Sequence, residues 1–343
     1  MSKRVLITGG AGFIGSHLTL YLLHRYPEYE VIVLDALTYA GNRANLREAE
    51  GNRRFHFLHA DVRSRDAVQE AMQGVHMVVH LAAETHVDRS ILNPDAFITT
   101  DVYGTFVMLE VARQVGVERF LHVSTDEVYG PAETAACAED APMRPTSPYA
   151  ASKAGADLLA QAYHKTYHLP VLIVRPSNTF GPRQYPEKLI PFFVTRALND
   201  LPLPLYGDGK QVRDWLYVAD HVRALDIVLH KGQPGEVYNV AANNERTNLE
   251  ITHKLLQILG KPEALIQFVQ DRPAHDRRYA LNTDKIRALG WQPQADFDTA
   301  LRETVRWYVQ NRDWWEPILQ QQTEYRQFVE QWYGVRGQTV SGR

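Results

Sequence analysis

The chain has 343 residues, a formal net charge of −3 at pH 7, and 45% hydrophobic against 22% charged residues. This length and composition predict a soluble globular protein with two domains or lobes, and the small net charge gives no reason to expect nucleic acid or an anionic membrane as a partner. The single cysteine, Cys137, excludes an internal disulfide bond and is typical of a reducing cytoplasm.

Neither a targeting segment nor a metal site is predicted. A strand-like run begins so close to Met1 that we expect no signal peptide, and no apolar run is long enough to span a membrane. The 14 histidines include no group with the spacing of a zinc site.

The first predicted elements form a strand, a glycine loop and a helix. A β-branched, apolar run at 3–8 leads directly into Gly9, Gly12 and Gly15, and a helix-prone run follows at 16–23. Such a loop lets backbone N–H groups approach a pyrophosphate at a helix N-terminus, although glycines also occur in ordinary tight βα turns.

Asp35 favours the first of these interpretations. It ends a buried-type strand at 31–34 and lies 20 residues after Gly15. An acidic residue at that distance accepts hydrogen bonds from the ribose hydroxyls of a dinucleotide and repels a 2′-phosphate. We therefore predict a dinucleotide site that prefers NAD to NADP.

The alternation of strands and helices continues along the chain. Further strands are predicted at 55–58, 75–81, 117–123 and 171–174, and helices at 97–114 and 150–163. Alternation at these lengths predicts an α/β fold with a doubly wound, parallel, Rossmann-type sheet.

An acidic pair follows the fifth predicted strand. Thr125, Asp126 and Glu127 stand at its carboxyl end, which is where open α/β sheets bind ligands. A solvated loop could carry the same residues, so the pair alone does not predict catalysis.

Tyr149 and Lys153 stand four residues apart at the start of the helix predicted at 150–163, so their side chains share a face. The lysine charge would stabilise the tyrosine phenolate and lower its pKa, making Tyr149 a usable base. The alternative is an exposed tyrosine and lysine on a surface helix.

The second half of the chain predicts a smaller C-terminal α/β lobe. Proline and glycine punctuate 182–209, which should leave the main sheet, whereas a strand at 237–240 should return to it. Amphipathic helices are predicted at 249–259 and 300–310, the second as the terminal helix. The arginine-rich run 271–279 is either an anion site or a solvated loop.

These patterns divide the chain into three parts. We predict a NAD-binding domain at 1–181, mainly a substrate-binding lobe at 182–334, and a frayed tail at 335–343.

The glycine loop together with Tyr149-x-x-x-Lys153 resembles the extended short-chain dehydrogenase/reductase family. Within it, five stretches resemble the dTDP-glucose 4,6-dehydratases, and the match runs from the N-terminus to about Gly334. The Asp126–Glu127 pair is the specific part, because sister epimerases and decarboxylases usually carry other residues there. The stretches are 82–90, 124–130, 187–191, 213–218 and 271–279.

The resemblance implies a three-stage reaction on a nucleoside diphosphate glucose. NAD+ takes hydride from carbon 4, water leaves across carbons 5 and 6, and the hydride returns to carbon 6. The implied catalytic roles are Tyr149, assisted by Lys153, as base for the carbon 4 hydroxyl, Thr125 as its hydrogen-bond partner, Glu127 as base at carbon 5, and Asp126 as the acid that protonates the departing hydroxyl.

The resemblance and the glycine loop also imply two sets of contact residues. NAD+ would stay tightly bound, since each turnover regenerates it. Its predicted contacts are Gly9, Gly12, Phe13, Ile14, Gly15, Asp35, Thr38, Asp61, Val62, Leu81, Ala82, Ala83, Thr100, Tyr149, Lys153 and Thr179. The predicted sugar-nucleotide contacts are Thr85, Thr125, Asn178, Lys188, Leu189, Pro204, Tyr206, Arg213, Asn248, Arg272 and His275, with Arg213 and Arg272 on the diphosphate.

The sequence departs from the family pattern in three places. Asp101 replaces an asparagine that helps to order the active-site helix, Thr179-Phe180 replaces Asn-Tyr, and Ala241-Ala242 replaces two glycines. None of these changes removes a catalytic group.

The predicted activity belongs to deoxysugar biosynthesis, which includes rhamnose, and the resemblance implies a homodimer formed through the helices at 101–114 and 150–163. Three alternatives stay open: a 4,6-dehydratase acting on UDP-glucose or another nucleoside diphosphate glucose, a sugar-nucleotide epimerase, and a non-catalytic NAD-binding protein on the same fold.

Overall fold

The computed structural model of the protein describes residues 3–334 and residue 336. The tail predicted to fray, 335–343, lies outside the described residues except at position 336. None of the helices in the described part of the chain is long and apolar enough to cross a membrane.

Twelve strands form three sheets within the described residues. They are β1 (Lys3–Thr8), β2 (Tyr29–Asp35), β3 (Phe55–His59), β4 (Met77–His80), β5 (Arg119–Val123), β6 (Val171–Pro176), β7 (Asn178–Phe180), β8 (Leu203–Tyr206), β9 (Val212–Tyr217), β10 (Val237–Val240), β11 (Glu245–Thr247) and β12 (Ile266–Val269).

Thirteen α-helices lie in the same part of the chain. They are α1 (Phe13–Arg25), α2 (Arg65–Ala71), α3 (Val87–Leu92), α4 (Pro94–Phe97), α5 (Thr105–Val115), α6 (Pro148–Tyr167), α7 (Leu189–Leu198), α8 (Val218–Lys231), α9 (Asn248–Leu259), α10 (Asp284–Ala288), α11 (Phe297–Gln310), α12 (Arg312–Gln321) and α13 (Thr323–Val329). Shorter 3₁₀ turns cover Arg43–Ala49, Asp126–Tyr129 and Glu263–Leu265, and π-helical turns cover Ile98–Gly104 and Glu330–Gly334.

The large sheet has seven parallel strands in the order β10-β6-β5-β4-β1-β2-β3. Helices α1 and α8 pack on one face, and α2, α5 and α6 pack on the other. Both faces are covered, which is why the central strands are continuous apolar runs. The predicted doubly wound Rossmann-type fold is confirmed, and the strand order reverses between β1 and β4.

The smaller lobe combines the three-stranded sheet β11-β9-β7 with the two-stranded sheet β12-β8. Its apolar core gathers side chains from α7, α9, α11 and α12. However, α8 and β10 pack on the large sheet although they follow residue 182. The domain boundary at 181/182 therefore stays a prediction. Two elements that follow it, α8 and β10, pack on the large sheet.

Two helix predictions were wrong in detail. The helix predicted at 97–114 is divided by the π-helical turn Ile98–Gly104, which turns the Asp101 side chain into the interior. The helix at 300–310 is not the last one, because α12 and α13 follow it. Pro317 lies inside α12 and interrupts the pattern by which a helix is predicted.

A buried ion pair connects the large sheet to α6. Arg175 on β6 donates from Nε and Nη2 to the two carboxylate oxygens of Asp157 at 2.8 and 3.0 Å, and both side chains are almost fully buried. The remaining Nη1 donates to the Tyr129 hydroxyl at 2.6 Å and to the Glu139 carbonyl at 3.0 Å.

We expect Arg175→Met to lower the free energy of unfolding by about 3–5 kcal/mol, because it leaves the Asp157 carboxylate buried without its partner. Urea unfolding of the two proteins measures this difference. Arg277→Met is the matched control, since the Arg277–Asp208 pair is exposed and should contribute about 0–1 kcal/mol. Equal losses for the two variants would contradict the importance of the buried pair.

Candidate active site

A cavity of about 440 Å³ lies at the carboxyl ends of the large sheet's central strands. Every residue predicted to contact NAD lines it, and so do all five predicted catalytic residues. The cavity lies where the strand order reverses, and ligand sites in open α/β sheets typically lie at such a point.

The glycine loop is shaped for a close backbone approach. Gly9 has a φ of 69°, and a Cβ atom there would lie 2.8 Å from the Ala82 nitrogen. A Cβ on Gly15 would lie 2.2 Å from the Gly9 carbonyl oxygen. Because Gly12 precedes α1 and has no side chain to cap it, the first N–H groups of the helix can receive a pyrophosphate. This cradle fits a dinucleotide.

Two acidic residues at or just after the carboxyl ends of neighbouring strands, Asp35 and Asp61, also line the cavity. Asp35 accepts hydrogen bonds from the backbone nitrogens of Ala11 and Leu37, each at 2.8 Å. Burial raises the pKa of Asp35, and these two hydrogen bonds oppose the rise. Asp61 instead accepts three side-chain hydrogen bonds from Arg63, at 2.6 to 3.0 Å.

The acidic pair lies on a 3₁₀ turn that directly follows β5. Thr125 caps this turn, accepting from the Glu127 backbone nitrogen at 3.3 Å and donating to Asp126 Oδ1 at 3.2 Å. Gly130 ends the turn with a φ of 72°, where a Cβ would lie 2.3 Å from the Arg144 carbonyl. The backbone therefore holds both carboxyl groups at the carboxyl end of β5.

The two carboxyl groups differ in their surroundings. Asp126 is buried, and burial raises its pKa to about 8, with the neighbouring Glu127 charge adding to the rise. Its Oδ2 has no hydrogen-bond partner among the described residues. Glu127 is only half-buried. Asp126 is thus protonated at neutral pH and can donate a proton, beside a more accessible carboxyl group.

Tyr149 and Lys153 are both buried in the same cavity, so the surface-helix alternative is wrong. Lys153 Nζ donates to the Val123 carbonyl at 2.8 Å. The expected lowering of the Tyr149 pKa is also wrong here, because burial raises it and the Glu127 charge raises it further. The ring packs against Phe97, with its centroid 6.2 Å away, and this enclosure disfavours the phenolate.

Asp101 lies near Lys153, and both of its carboxyl oxygens accept hydrogen bonds. Its Oδ2 accepts from Ser152 Oγ at 2.7 Å and its Oδ1 from the Glu84 backbone nitrogen at 2.8 Å. Burial raises the pKa of Asp101 to about 6, while the Lys153 charge opposes that rise. The carboxyl group thus connects α6, which carries Tyr149 and Lys153, to the loop after β4.

The predicted substrate residues fall into two groups. Thr85, Thr125, Asn178 and Lys188 line the cavity. Lys188 Nζ donates to the Thr85 carbonyl at 2.5 Å. The others do not line it and lie on the smaller lobe, at the start of α7 and α9, on β8 and β9, and in the loop after β12. They are Leu189, Pro204, Tyr206, Arg213, Asn248, Arg272 and His275.

Asp88 joins two members of that second group. Its Oδ2 accepts from the Tyr206 hydroxyl at 2.6 Å and its Oδ1 from Arg272 Nη1 at 3.2 Å. His275 lies edge-on to the Tyr206 ring, with centroids 5.8 Å apart, and bonds to Asp271 at 2.6 Å.

The cations of this region face the acidic pair. Burial is the largest effect lowering the pKa of Arg213, and the nearby Arg272 charge lowers it further. The Glu127 charge favours the cationic forms of Arg213, Arg272 and Lys188. Arg272 Nε and Asn178 Oδ1 are buried without a partner among the described residues. Such a set suits a diphosphate, whose oxygens pair with guanidinium groups.

Several residues of the site were missed in the sequence. Burial raises the pKa of Glu84 to about 7, and Asp101 and Glu187 add to the rise. Glu187 pairs with Arg89 at 2.7 Å. Glu84 and Arg89 stand within the stretch 82–90, which was the available signal. Tyr333 stacks on Tyr206 with centroids 5.9 Å apart, and no local sequence pattern indicates this contact.

No group of three or more potential ligands among residues 3–334 and 336 could hold a metal ion.

Comparison with known proteins identifies similar chains. The family model described as GDP-mannose 4,6 dehydratase matches residues 6–304. A dTDP-glucose 4,6-dehydratase of Actinoplanes sp. is 49% identical over 318 residues, covering 91% of this chain and 99% of that protein. A trifunctional UDP-glucose 4,6-dehydratase/UDP-4-keto-6-deoxy-D-glucose 3,5-epimerase/UDP-4-keto-L-rhamnose-reductase of Arabidopsis thaliana is 43% identical, covering 92% of this chain and 48% of that protein.

Among solved structures, the fold is similar to that of DesIV, a dTDP-glucose 4,6-dehydratase from Streptomyces venezuelae that was crystallised with NAD bound. The TM-score is 0.90 and the sequence identity 51%, covering 92% of this chain and 99% of that one.

The raised pKa of Asp126 predicts a pH-dependent stability. The folded state keeps this proton up to about pH 8, whereas an unfolded aspartate releases it near about pH 3.9. The free energy of unfolding therefore falls as pH rises between these values. Asp126→Asn cannot ionise, so its Tm should rise relative to wild type from pH 5 to pH 9 in differential scanning calorimetry.

The control is Asp208→Asn. Asp208 is exposed, and its hydrogen bond from Arg277 lowers its pKa to about 2, so its Tm difference from wild type should stay constant over this range. A constant difference for Asp126→Asn as well would show that the Asp126 pKa is not raised.

Proposed function

The chain belongs to the GDP-mannose 4,6 dehydratase family, and we propose from this premise that it converts dTDP-glucose to dTDP-4-keto-6-deoxyglucose and water. It is an NAD-dependent hydro-lyase. When bound, NAD+ accepts a hydride from carbon 4, returns it to carbon 6, and adds a positive charge to the cavity.

Removal of the carbon 4 hydroxyl proton is assigned to Tyr149, whose phenolate is disfavoured by burial and by the Glu127 charge and would be favoured by the positive charge of bound NAD+. The Thr125 side chain opposes the rise in the pKa of Tyr149, and both residues line the cavity. Lys153 is held by the Val123 carbonyl, so its ammonium group stays inside the site. Thr125 can also hydrogen-bond the reacting oxygen, because its side chain lines the same cavity as Tyr149.

The Asp126–Glu127 pair carries the proposal. Once carbon 4 is a ketone, the proton on carbon 5 is acidified, and a base is needed to remove it. Glu127 is the more accessible carboxyl group and takes that role. Asp126, whose pKa is raised by burial, is protonated and gives its proton to the departing hydroxyl of carbon 6. A buried, protonated carboxyl group beside a more accessible one is an arrangement that suits acid–base elimination.

The smaller lobe holds the nucleoside diphosphate in this proposal. Arg213 and Arg272 bind the diphosphate, and Lys188 lies where that region meets the cavity. The dTDP form is preferred because relatives that are 49% and 46% identical to this chain bear that name. The Arabidopsis relative keeps UDP-glucose as the second candidate. An epimerase would have no task for the acidic pair.

A cytoplasmic homodimer is part of the same proposal. Large apolar side chains are exposed along the π-helical turn and α6: Ile98 is 52%, Tyr103 is 51% and Leu158 is 55% exposed. Their position on the helices at 98–104 and 148–167 supports an interface between two copies of the chain. Sedimentation equilibrium measures the mass that decides it.

The purified protein should convert dTDP-glucose most efficiently among dTDP-, UDP-, GDP- and CDP-glucose. The absorbance that the 4-keto product develops in alkali measures kcat/KM for each substrate under identical conditions. A higher kcat/KM for UDP-glucose would transfer the proposal to that nucleotide, and no product from any of the four would refute the dehydratase.

Glu127→Gln should still oxidise carbon 4 but should lose water elimination by at least about 100-fold, because the base at carbon 5 is gone. A single-turnover experiment should then show reduced nicotinamide that accumulates without product. Glu303→Gln, at an exposed position, is the control and should turn over normally. Unchanged dehydration by Glu127→Gln would refute the assignment of the base.

A further inference from the structure

The glycine loop is tied to the rest of the protein through Ala11. Ala11 is fully buried and lies between Gly9 and Gly12. Its N–H donates to Asp35 Oδ2 at 2.8 Å, and its carbonyl accepts from the Asn42 nitrogen at 3.1 Å and from Asn45 Nδ2 at 2.9 Å. The conformation of the loop therefore depends on hydrogen bonds from Asn42 and Asn45, which do not line the cavity.

The side-chain amide of Asn45 both donates and accepts a hydrogen bond. It is 2% exposed and lies in the 3₁₀ turn Arg43–Ala49. While Nδ2 donates to Ala11, Oδ1 accepts from Trp314 Nε1 at 2.9 Å. One buried side chain thus connects the glycine loop to α12, which lies 269 residues further along the chain.

The C-terminal helices hold Trp314 firmly. Its ring packs edge-on against Trp307, with centroids 5.0 Å apart, and against Tyr308 at 6.4 Å. The adjacent Trp315 is fully buried and donates to the Tyr308 carbonyl at 2.8 Å. The indole N–H of Trp314 is therefore presented by a fixed aromatic cluster.

The C-terminal part of the chain also contacts a residue that lines the cavity. Gln322, which ends α12, accepts from the Tyr185 hydroxyl at 2.6 Å. Tyr185 lines the cavity and packs edge-on against Tyr39 with centroids 5.4 Å apart. The C-terminal part of the chain is thus connected to the cofactor cavity through both Asn45 and Tyr185.

We propose that Asn45 and Trp314 are positioning residues that hold the glycine loop in its cofactor-binding form, so that the C-terminal helices slow the release of NAD+. This inference rests on the proposed function, since it takes NAD+ as the occupant of the cavity. A loop that is already ordered loses less conformational entropy when the cofactor binds, and its opening requires the Trp314–Asn45–Ala11 connection to break.

The test measures NAD+ release from the holoenzyme of wild type, Trp314→Phe, Asn45→Ala and the double variant. A glycohydrolase that destroys free NAD+ acts as the trap, and bound NAD+ is determined over time by chromatography. Each single variant should release NAD+ roughly three- to tenfold faster, as expected for one net hydrogen bond. The double variant should match Asn45→Ala, because both changes break the same connection.

Trp315→Phe is the matched control. It removes an indole hydrogen bond from the same helix, so its Tm should fall, but it does not touch Asn45 and its NAD+ release rate should equal that of wild type. Faster release in proportion to lost stability, with Trp315→Phe included, would overturn the inference and leave a purely structural role.

Release at the wild-type rate by both single variants, or additive effects in the double variant, would also overturn the inference. In these cases wild type still retains NAD+, and the proposed function stands. A wild-type protein that binds no NAD+ at all would overturn the inference and the proposed function together.

Discussion

The fully buried guanidinium of Arg175 determines how the catalytic groups face one another. It pairs with Asp157 on α6, the helix that carries Tyr149 and Lys153, and it donates to the hydroxyl of Tyr129, which ends the turn carrying the acidic pair. Tyr129 in turn donates to Asn239 on β10 at 2.8 Å. Because a buried charge must keep all of its partners, these elements cannot shift independently. The Asp126–Glu127 pair and the Tyr149–Lys153 pair, which come from different parts of the chain, are thereby held in a fixed relative position.

The burial that makes this network rigid also sets the protonation states in the cavity. Asp126, Asp101 and Glu84 all have pKa values raised mainly by burial. Burial also lowers the pKa of Lys153, while the carboxyl groups of Asp101 and Asp157 raise it. An asparagine at position 101, which the resemblance implies for the family, would bring no such charge. In this chain, therefore, Asp101 has two effects. Its charge favours the cationic form of Lys153, and its carboxyl group accepts a hydrogen bond from Ser152 on α6.

The sequence predicts the parts of the structure that depend on local pattern. Strands buried on both faces are continuous apolar runs, and the glycine spacing with Asp35 indicates the cofactor loop without any knowledge of the fold. Three features escape such reasoning. The π-helical turn around Asp101 depends on side chains from α6, Pro317 conceals α12, and the raised pKa of Tyr149 depends on burial that no spacing reveals. The loop contacts of Arg272 and Tyr206 with Asp88 are likewise tertiary.

The two halves of the site prepare for their ligands in different ways. The cofactor half is completed by its own backbone, because Ala11, Asp35 and Asn45 satisfy one another around the glycine loop. The sugar-nucleotide half instead concentrates positive charge: the Arg272 charge disfavours the cationic form of Arg213, whereas Arg272 itself is paired with Asp88. A diphosphate relieves this repulsion when it binds, since it brings two acceptor-rich groups to guanidinium donors. The first half is therefore suited to keeping one ligand through many turnovers, and the second to exchanging its ligand in each.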